Sequence, residues 1–397
     1  MGRSLLCGIV SLMILVIVVV SFITQTKTVE AMPGFARKYS MSCTTCHAPA
    51  PRLKDYGDEF AGNGFVLEDQ DAPRYYDNTG DNLLHLIRDF QFGFRFEGFI
   101  KHHTETDNGV DFSFPYNVKI MSGGPIAPDI AYYFYFYMSE HGEIAGIEDA
   151  YVMFNNLFGS ELDIYVGQFQ ISDPLFKREL RLTYEDYKIY THRPDSSQVN
   201  LGYDRGIMMT YGFPTGTDLI FEVTNGNGIG ETAVEFSRTY DSDKYKLAAG
   251  RISQDVGEYF RLGAFGLYGK EGNPEVSEIT IGGIDATMAY GPFEANFQFL
   301  ERKDSNPGFG QSPCPDCKTI SRGGLAELII MPHGDRSRFY MVGLYNVIDY
   351  DHRAVAYQSV TGHIGYLLHT NIRAFVENTY DIENEENRFV LGLFTAF

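Results

Sequence analysis

The chain contains no tryptophan, only five cysteines and, beyond residue 22, no long apolar run. Cations are also scarce: Lys and Arg number 32 against 52 Asp and Glu, for a formal net charge of −20. That balance excludes a nucleic-acid binder, whose contact face is basic. The missing apolar runs conflict with the aromatic load, because 31 Phe and 27 Tyr would demand a very large core in a water-soluble domain. A wall that is apolar outside and polar inside removes the conflict.

The one long apolar stretch lies at the start. Arg3 precedes an apolar run from Leu5 to Phe22, and Val29-Glu30-Ala31 is a small-x-small sequence. This reads as a cleavable export signal processed after Ala31, with a retained membrane helix as the competing reading. Cys7 falls inside the run and is discarded with it. The expected organisation is a signal peptide at 1–31, a short segment at 32–86 and a large domain at 87–397.

In the short segment stands Cys43-Thr44-Thr45-Cys46-His47, which reads as the C-x-x-C-H attachment sequence for a c-type haem, with a structural disulfide or a chance C-x-x-C before a His as the competing reading. Two thiols at this spacing bond covalently to the two vinyl-derived carbons of one haem, and His47 reaches the iron as proximal ligand. Attachment occurs outside the cytoplasm, which agrees with an export signal. A segment this short is marginal as a free domain, so it is expected to pack against or inside the larger domain. The distal iron ligand is not legible from spacing; His85 and Met121 are the candidates. Arg37 and Arg52 flank the motif and either suit haem propionates, since a guanidinium forks onto a carboxylate, or are solvated surface arginines.

Dyad alternation begins near residue 88. Phe90, Phe92, Phe94 and Phe96 share one face against Gln91, Gly93, Arg95 and Glu97. Phe112, Phe114, Tyr116, Val118 and Ile120 share a face in the next segment, with Pro115 as a local flaw. Segments of this kind predict an all-β fold, an outer-membrane antiparallel barrel of about 16 strands with the N-terminal haem-c segment as plug. The expected strands are 88–102, 109–122, 129–139, 147–157, 160–170, 202–213, 216–226, 243–253, 258–270, 277–290, 292–302, 322–333, 336–348, 354–367, 370–380 and 387–397. Tight turns are expected at Gly123-Gly124-Pro125, Pro214-Thr215, Tyr290-Gly291-Pro292 and His333-Gly334-Asp335, alternating with longer connections that include 171–201, 227–242 and 303–321. An even strand count returns both ends of the barrel to the periplasmic side. Phe389, Leu391, Leu393 and Phe397 alternate as in the C-terminal assembly signal of outer-membrane barrels.

Cys314 and Cys317 in the 303–321 loop have no following His and read as a small disulfide loop; two thiolates make only half of a tetrahedral zinc site. His102-His103, His141 with Glu143, Asp349-Tyr350-Asp351-His352, and Glu383 with Glu385 and Glu386 carry donors suited to divalent iron or manganese, or are hydrated loops. The 171–201 loop resembles the inward-folding loop of porins, with Lys177, Arg178, Arg181, Glu185 and Asp186 supplying both signs of charge.

Phe35-Ala36-Arg37, the C-x-x-C-H motif, and then Pro51, Leu53, Tyr56-Gly57, Phe60 and Gly64-Phe65 resemble the N-terminus of the fused monohaem cytochrome-porins. That family includes outer-membrane iron oxidases. The resemblance implies one covalent haem c and transfer of single electrons from extracellular Fe(II) to a periplasmic carrier such as a cytochrome c, with outer-membrane lipid around the barrel. The alternatives are a diffusion porin whose haem is a structural or sensory plug, and a peroxidase, which needs an open iron site and a distal acid-base pair.

Overall fold

The structure, a computed structural model, describes residues 34–67, 75–104, 109–229, 240–272, 274–311, 318–350 and 357–397. The export-signal reading, the Cys314–Cys317 loop, Asp351 and His352 lie outside the described residues.

The N-terminal segment forms three short helices, α1 (Gly34–Tyr39), α2 (Cys43–Cys46) and α3 (Asp55–Gly62), and then a two-residue ladder of β1 (Tyr76–Asp77) with β2 (Leu86–Ile87). Sixteen strands follow: β3 (Phe92–His103), β4 (Val110–Ala127), β5 (Ile130–Glu140), β6 (Gly146–Phe154), β7 (Leu162–Gln170), β8 (Tyr203–Phe213), β9 (Thr217–Thr224), β10 (Leu247–Val256), β11 (Phe260–Glu271), β12 (Ser277–Tyr290), β13 (Phe293–Asp304), β14 (Thr319–Ile330), β15 (Phe339–Tyr350), β16 (Tyr357–His369), β17 (Ile372–Asp381) and β18 (Glu386–Ala396). Each pairs antiparallel with its sequence neighbour, and β18 pairs with β3 to close the ring. Closure satisfies every ladder group without an edge, which is the condition for crossing lipid with strands. Phe397 completes the seam: its amide and carbonyl bond Phe94 at 2.9 and 2.7 Å, and the two rings stack at 5.7 Å.

All sixteen expected segments are strands, because the wall is inside out and its strands largely follow a two-residue period. On β16, Val360 and Ile364 are 50 and 49 % exposed, while Ser359, Thr361 and His363 are 1 % exposed or less. Phe92, Phe94, Phe297, Phe299 and Phe389 form part of the same outer apolar surface.

Two local expectations are corrected. Gly123-Gly124-Pro125 is not a turn; β4 runs on to Ala127, and the chain reverses at 128–129. Glycine is there for space, since a Cβ at 123 would meet the ring of Phe65 from the N-terminal segment. Tyr116 does not share the outer face of Phe112 and Phe114. The β3–β4 register shifts between Glu97 and Phe99, so the residues from Phe114 to Tyr116 oppose Gly98 in a bulge. Bulges re-aim side chains, and Tyr116 turns inward to meet Phe99 at 4.7 Å between ring centroids.

The connections after even-numbered strands are short and those after odd-numbered strands are generally longer, which defines a short-turn end and a long-loop end. The β7–β8 connection crosses the bore. Tyr184 and Glu185 donate backbone N–H groups to Glu377 on β17 (2.7 and 2.8 Å). Tyr187 donates to Glu327 on β14 (3.0 Å), and Arg302 on β13 donates to the Val199 carbonyl (2.6 Å). The loop's Tyr187, Ile189 and Tyr190, the last two on α4 (Lys188–Thr191), pack into a buried cluster with Leu247, Phe265, Ile281, Leu300, Leu325 and Leu344 of the far wall.

Candidate functional site

The C-x-x-C-H sequence folds as one helical turn. Ser42 caps α2 by accepting from the Thr44 amide (3.3 Å), and the His47 amide closes the turn on the Cys43 carbonyl (2.9 Å). Residues three apart lie on one face of a helix, so Cys43 and Cys46 share a side, both as free thiols. Burial raises the pKa of each, which keeps them protonated.

Beyond the turn the chain folds back. His47 and Leu53 form a bridge, and the Lys54 amide donates to the Cys46 carbonyl at 2.8 Å. The fold-back sets the imidazole: Nδ1 lies 3.0 Å from the Pro51 carbonyl oxygen and 3.2 Å from that of Arg52. Carbonyls only accept, so Nδ1 carries the proton and Nε2 keeps its lone pair free, the arrangement that orients a metal-binding histidine. Burial lowers the His47 pKa against the opposing effect of these two carbonyls, which favours the neutral ring.

Gly57 on α3 makes this packing possible, since a Cβ there would fall on the Cys46 carbonyl oxygen. Gly57→Ala is expected to destabilise the segment by about 1–3 kcal/mol, the usual cost of forced overpacking. Limited proteolysis of the purified barrel will show faster cleavage between residues 34 and 67; unchanged cleavage contradicts the assignment.

The segment sits in the short-turn end of the bore. Phe35, Tyr39, Phe60 and Phe65 contact one another at ring separations of 4.9 to 5.9 Å. They extend into a cluster with Ala131, Met153, Tyr165, Phe169 and Met208 of the wall. Asn155 donates to the Gly62 carbonyl (2.6 Å). Arg52 pairs with Glu294, Lys54 with Asp335 at 2.6 Å, and Lys177 of the crossing loop with Asp58 at 3.1 Å. The segment is thus tied to the wall and to the crossing loop.

Beside the motif lies a small open cleft, lined by Cys43, His47 and Ala50 of the segment and by Met331, Asp335 and Leu367 of the barrel. Two free thiols one helical turn apart and an imidazole with Nδ1 anchored are the donor set that covalent attachment of a haem requires, and Cys43 and His47 line a largely apolar cleft.

The two proposed distal ligands are elsewhere. His85 is exposed between β1 and β2, with its ring 5.4 Å from Tyr76. Met121 is inward and half-buried, with Gly93 and Tyr135 as its ladder neighbours. Neither lines the cavity. Arg37 donates to the Phe92 carbonyl (3.0 Å), and Arg52 is engaged by Ala48 and Glu294. His102 is bound to the Gly109 carbonyl (3.0 Å). Among the described residues no three His, Cys, Asp or Glu side chains converge as a metal cage.

A larger cavity of about 280 Å³ lies between the crossing loop and the wall, lined among others by Arg95, Glu97, Tyr116, His141, Glu179 and Arg388. Lys119 holds Glu179 at 2.6 Å. Burial would raise the Glu179 carboxyl, but Lys119, Arg95 and Arg181 pull it far below the ordinary carboxylate range. Arg178 and Arg181 do the same for Asp186 against its own burial.

A column of rings joins the two cavities. Tyr340 shares a buried cluster with Ala48 and Met331 at the lower cavity. From it the ring centroids run Tyr340–His363 5.4 Å, His363–Phe375 4.6 Å, Phe375–Phe99 6.0 Å, Phe99–Tyr116 4.7 Å and Tyr116–His141 4.6 Å, ending in the β5–β6 connection at the long-loop end. Hydrogen bonds hold its base: Glu377 takes His363 Nδ1 at 2.9 Å, and Arg373 donates to the Tyr340 hydroxyl at 2.7 Å. The column draws single inward positions from four strands, a bulge and a loop, so no sequence pattern marks it.

No protein-family model matches the chain, and no curated protein does. Solved structures do. OmpT, an outer membrane protein of Vibrio cholerae, superposes at TM-score 0.55 with 9 % identity over 78 % of this chain and 99 % of that one. The anion-selective porin from Comamonas acidovorans gives 0.54, with 10 % identity over 77 and 98 %. The outer membrane channel DcaP of Acinetobacter baumannii gives 0.54, with 12 % identity over 78 and 97 %. At such identities the likeness is one of fold, a porin-like outer-membrane barrel.

Proposed function

We propose that this barrel carries one haem c on Cys43, Cys46 and His47 and passes single electrons across the outer membrane, from an extracellular reductant such as Fe(II) to a periplasmic carrier. The observation that carries the reading is the His47 geometry: Nδ1 is anchored on two carbonyls, which leaves Nε2 as the ligating nitrogen, and two free thiols stand on the helical turn just before it. Bound there, haem c supplies a one-electron iron couple whose potential is set by ligation, burial and nearby charge. The chain's own part is to hold that group, keep its surroundings largely apolar and exclude bulk flow with the crossing loop.

A barrel's apolar band is about 25 Å tall, so a group held at the short-turn end needs a path to the other face. The ring column from Tyr340 to His141 supplies closely spaced aromatic contacts running from the short-turn end towards the long-loop end. Phe375→Leu is expected to slow haem reduction by external Fe(II) in stopped-flow spectra while leaving the midpoint potential unchanged. An unchanged rate removes the column from the path.

The parent experiment is the Soret response of the purified haem-loaded protein to Fe(II) complexes. Reduction is expected, and no reduction by any of them contradicts the iron-oxidation reading. A diffusion porin with the haem segment as plug is the second reading. The fold shared with an anion-selective porin and an outer membrane channel favours it, and conductance decides it.

A further inference from the structure

We infer that Met331 is the distal axial ligand of the haem iron, an assignment that rests on the haem reading of Cys43, Cys46 and His47. Met331 immediately follows β14, in the short-turn connection to β15, and lines the same cleft as His47, from the barrel side. It is 9 % exposed and packs with Ala48, Leu182, Ile329, Tyr340 and Val342. Its backbone is pinned: the amide donates to the Pro292 carbonyl and its own carbonyl accepts from Gly334, both at 2.8 Å. Only the side chain needs to move, and an unbranched thioether with three rotatable bonds adapts readily.

The other donors around the cavity are occupied or unsuited. Asp335 is held by Lys54 at 2.6 Å. Ser337 accepts the His333 amide at 2.7 Å, and Thr44 shares a hydrogen bond with Ser42 at 2.9 Å. Thr370 offers a neutral hydroxyl, a poor partner for haem iron beside a thioether. Cys43 is committed to attachment. A His/Met pair is an established haem ligation that raises the reduction potential, and the apolar neighbours of Met331 act in the same direction by disfavouring the extra charge of the ferric state.

The test uses the full-length, haem-loaded barrel and spectroscopy of the resting ferric state, which needs no turnover. The wild type is expected to be six-coordinate and low-spin, with the weak far-red charge-transfer band of methionine-ligated ferric haem. In the ferrous form it is expected to show strongly upfield methionine methyl signals. Met331→Leu, close in volume and shape, is expected to lose both signatures and lower the midpoint potential. Met331→His is expected to restore a low-spin spectrum without the far-red band, and Met121→Leu to leave every signature intact. A far-red band that survives Met331→Leu, or attached haem without that band in the wild type, overturns the assignment while leaving the haem reading standing. A negative pyridine haemochrome assay on the wild type overturns both.

Discussion

The double variant Cys43→Ala/Cys46→Ala will assemble as a folded barrel with no covalently attached haem. Haem staining of denatured protein and the pyridine haemochrome assay read the loss, and gel migration with and without heating reads the barrel. The two outcomes separate because the segment contributes no strand to the ring, which closes through β3 and β18 alone. Its ties to the wall are side-chain contacts such as Asn155 to Gly62 and Lys54 to Asp335. Loss of the haem signal together with retained heat-dependent migration is the expected pair. Haem that stays bound through denaturation would contradict the assignment of these cysteines.

The second large effect concerns the bore. A ring of sixteen strands leaves an aqueous channel when empty, yet this one holds the N-terminal segment at one end and a loop across its middle. The wild type will therefore conduct far less in planar bilayers than an unobstructed barrel of this size. Replacing residues 177–192 with a short Gly-Ser linker will raise single-channel conductance several-fold. The barrel should tolerate the change, because the groups it uncovers, among them Glu327, Asn346 and Glu377, face water rather than lipid. A buried polar group is costly only where nothing solvates it. Wild-type conductance equal to that of the shortened variant would mean the loop does not obstruct the bore, and the diffusion-porin reading would then be preferred.

The strands were legible because lipid and lumen impose opposite demands on alternate residues, so Phe92 and Phe94 against Arg95 and Glu97 is a local signal. The C-x-x-C-H sequence stood out for a related reason, since its residue types lie within five consecutive positions. What sequence misplaced depended on partners distant along the chain. Gly123 looked like a turn because nothing nearby shows that Phe65 fills the space a Cβ would take. Tyr116 looked outward because a bulge near Pro115 changes the phase without changing the composition. The crossing of the bore by the β7–β8 loop depends on Glu377 and Arg302, more than a hundred residues further along the chain. Met331 drew no notice for the same reason: the barrel brings it to the cleft that His47 lines, and a lone methionine at a strand end has no sequence signature.

The central claim is that charge crosses this wall through a group held on Cys43, Cys46 and His47. The most direct measurement places the haem-loaded barrel in sealed vesicles with an electron-accepting dye trapped inside and a membrane-impermeant ferrous complex outside. Bleaching of the trapped dye is expected with the wild type and not with Cys43→Ala/Cys46→Ala at equal incorporation. Equal bleaching by both, or none by the wild type while its haem is fully attached, would contradict the account.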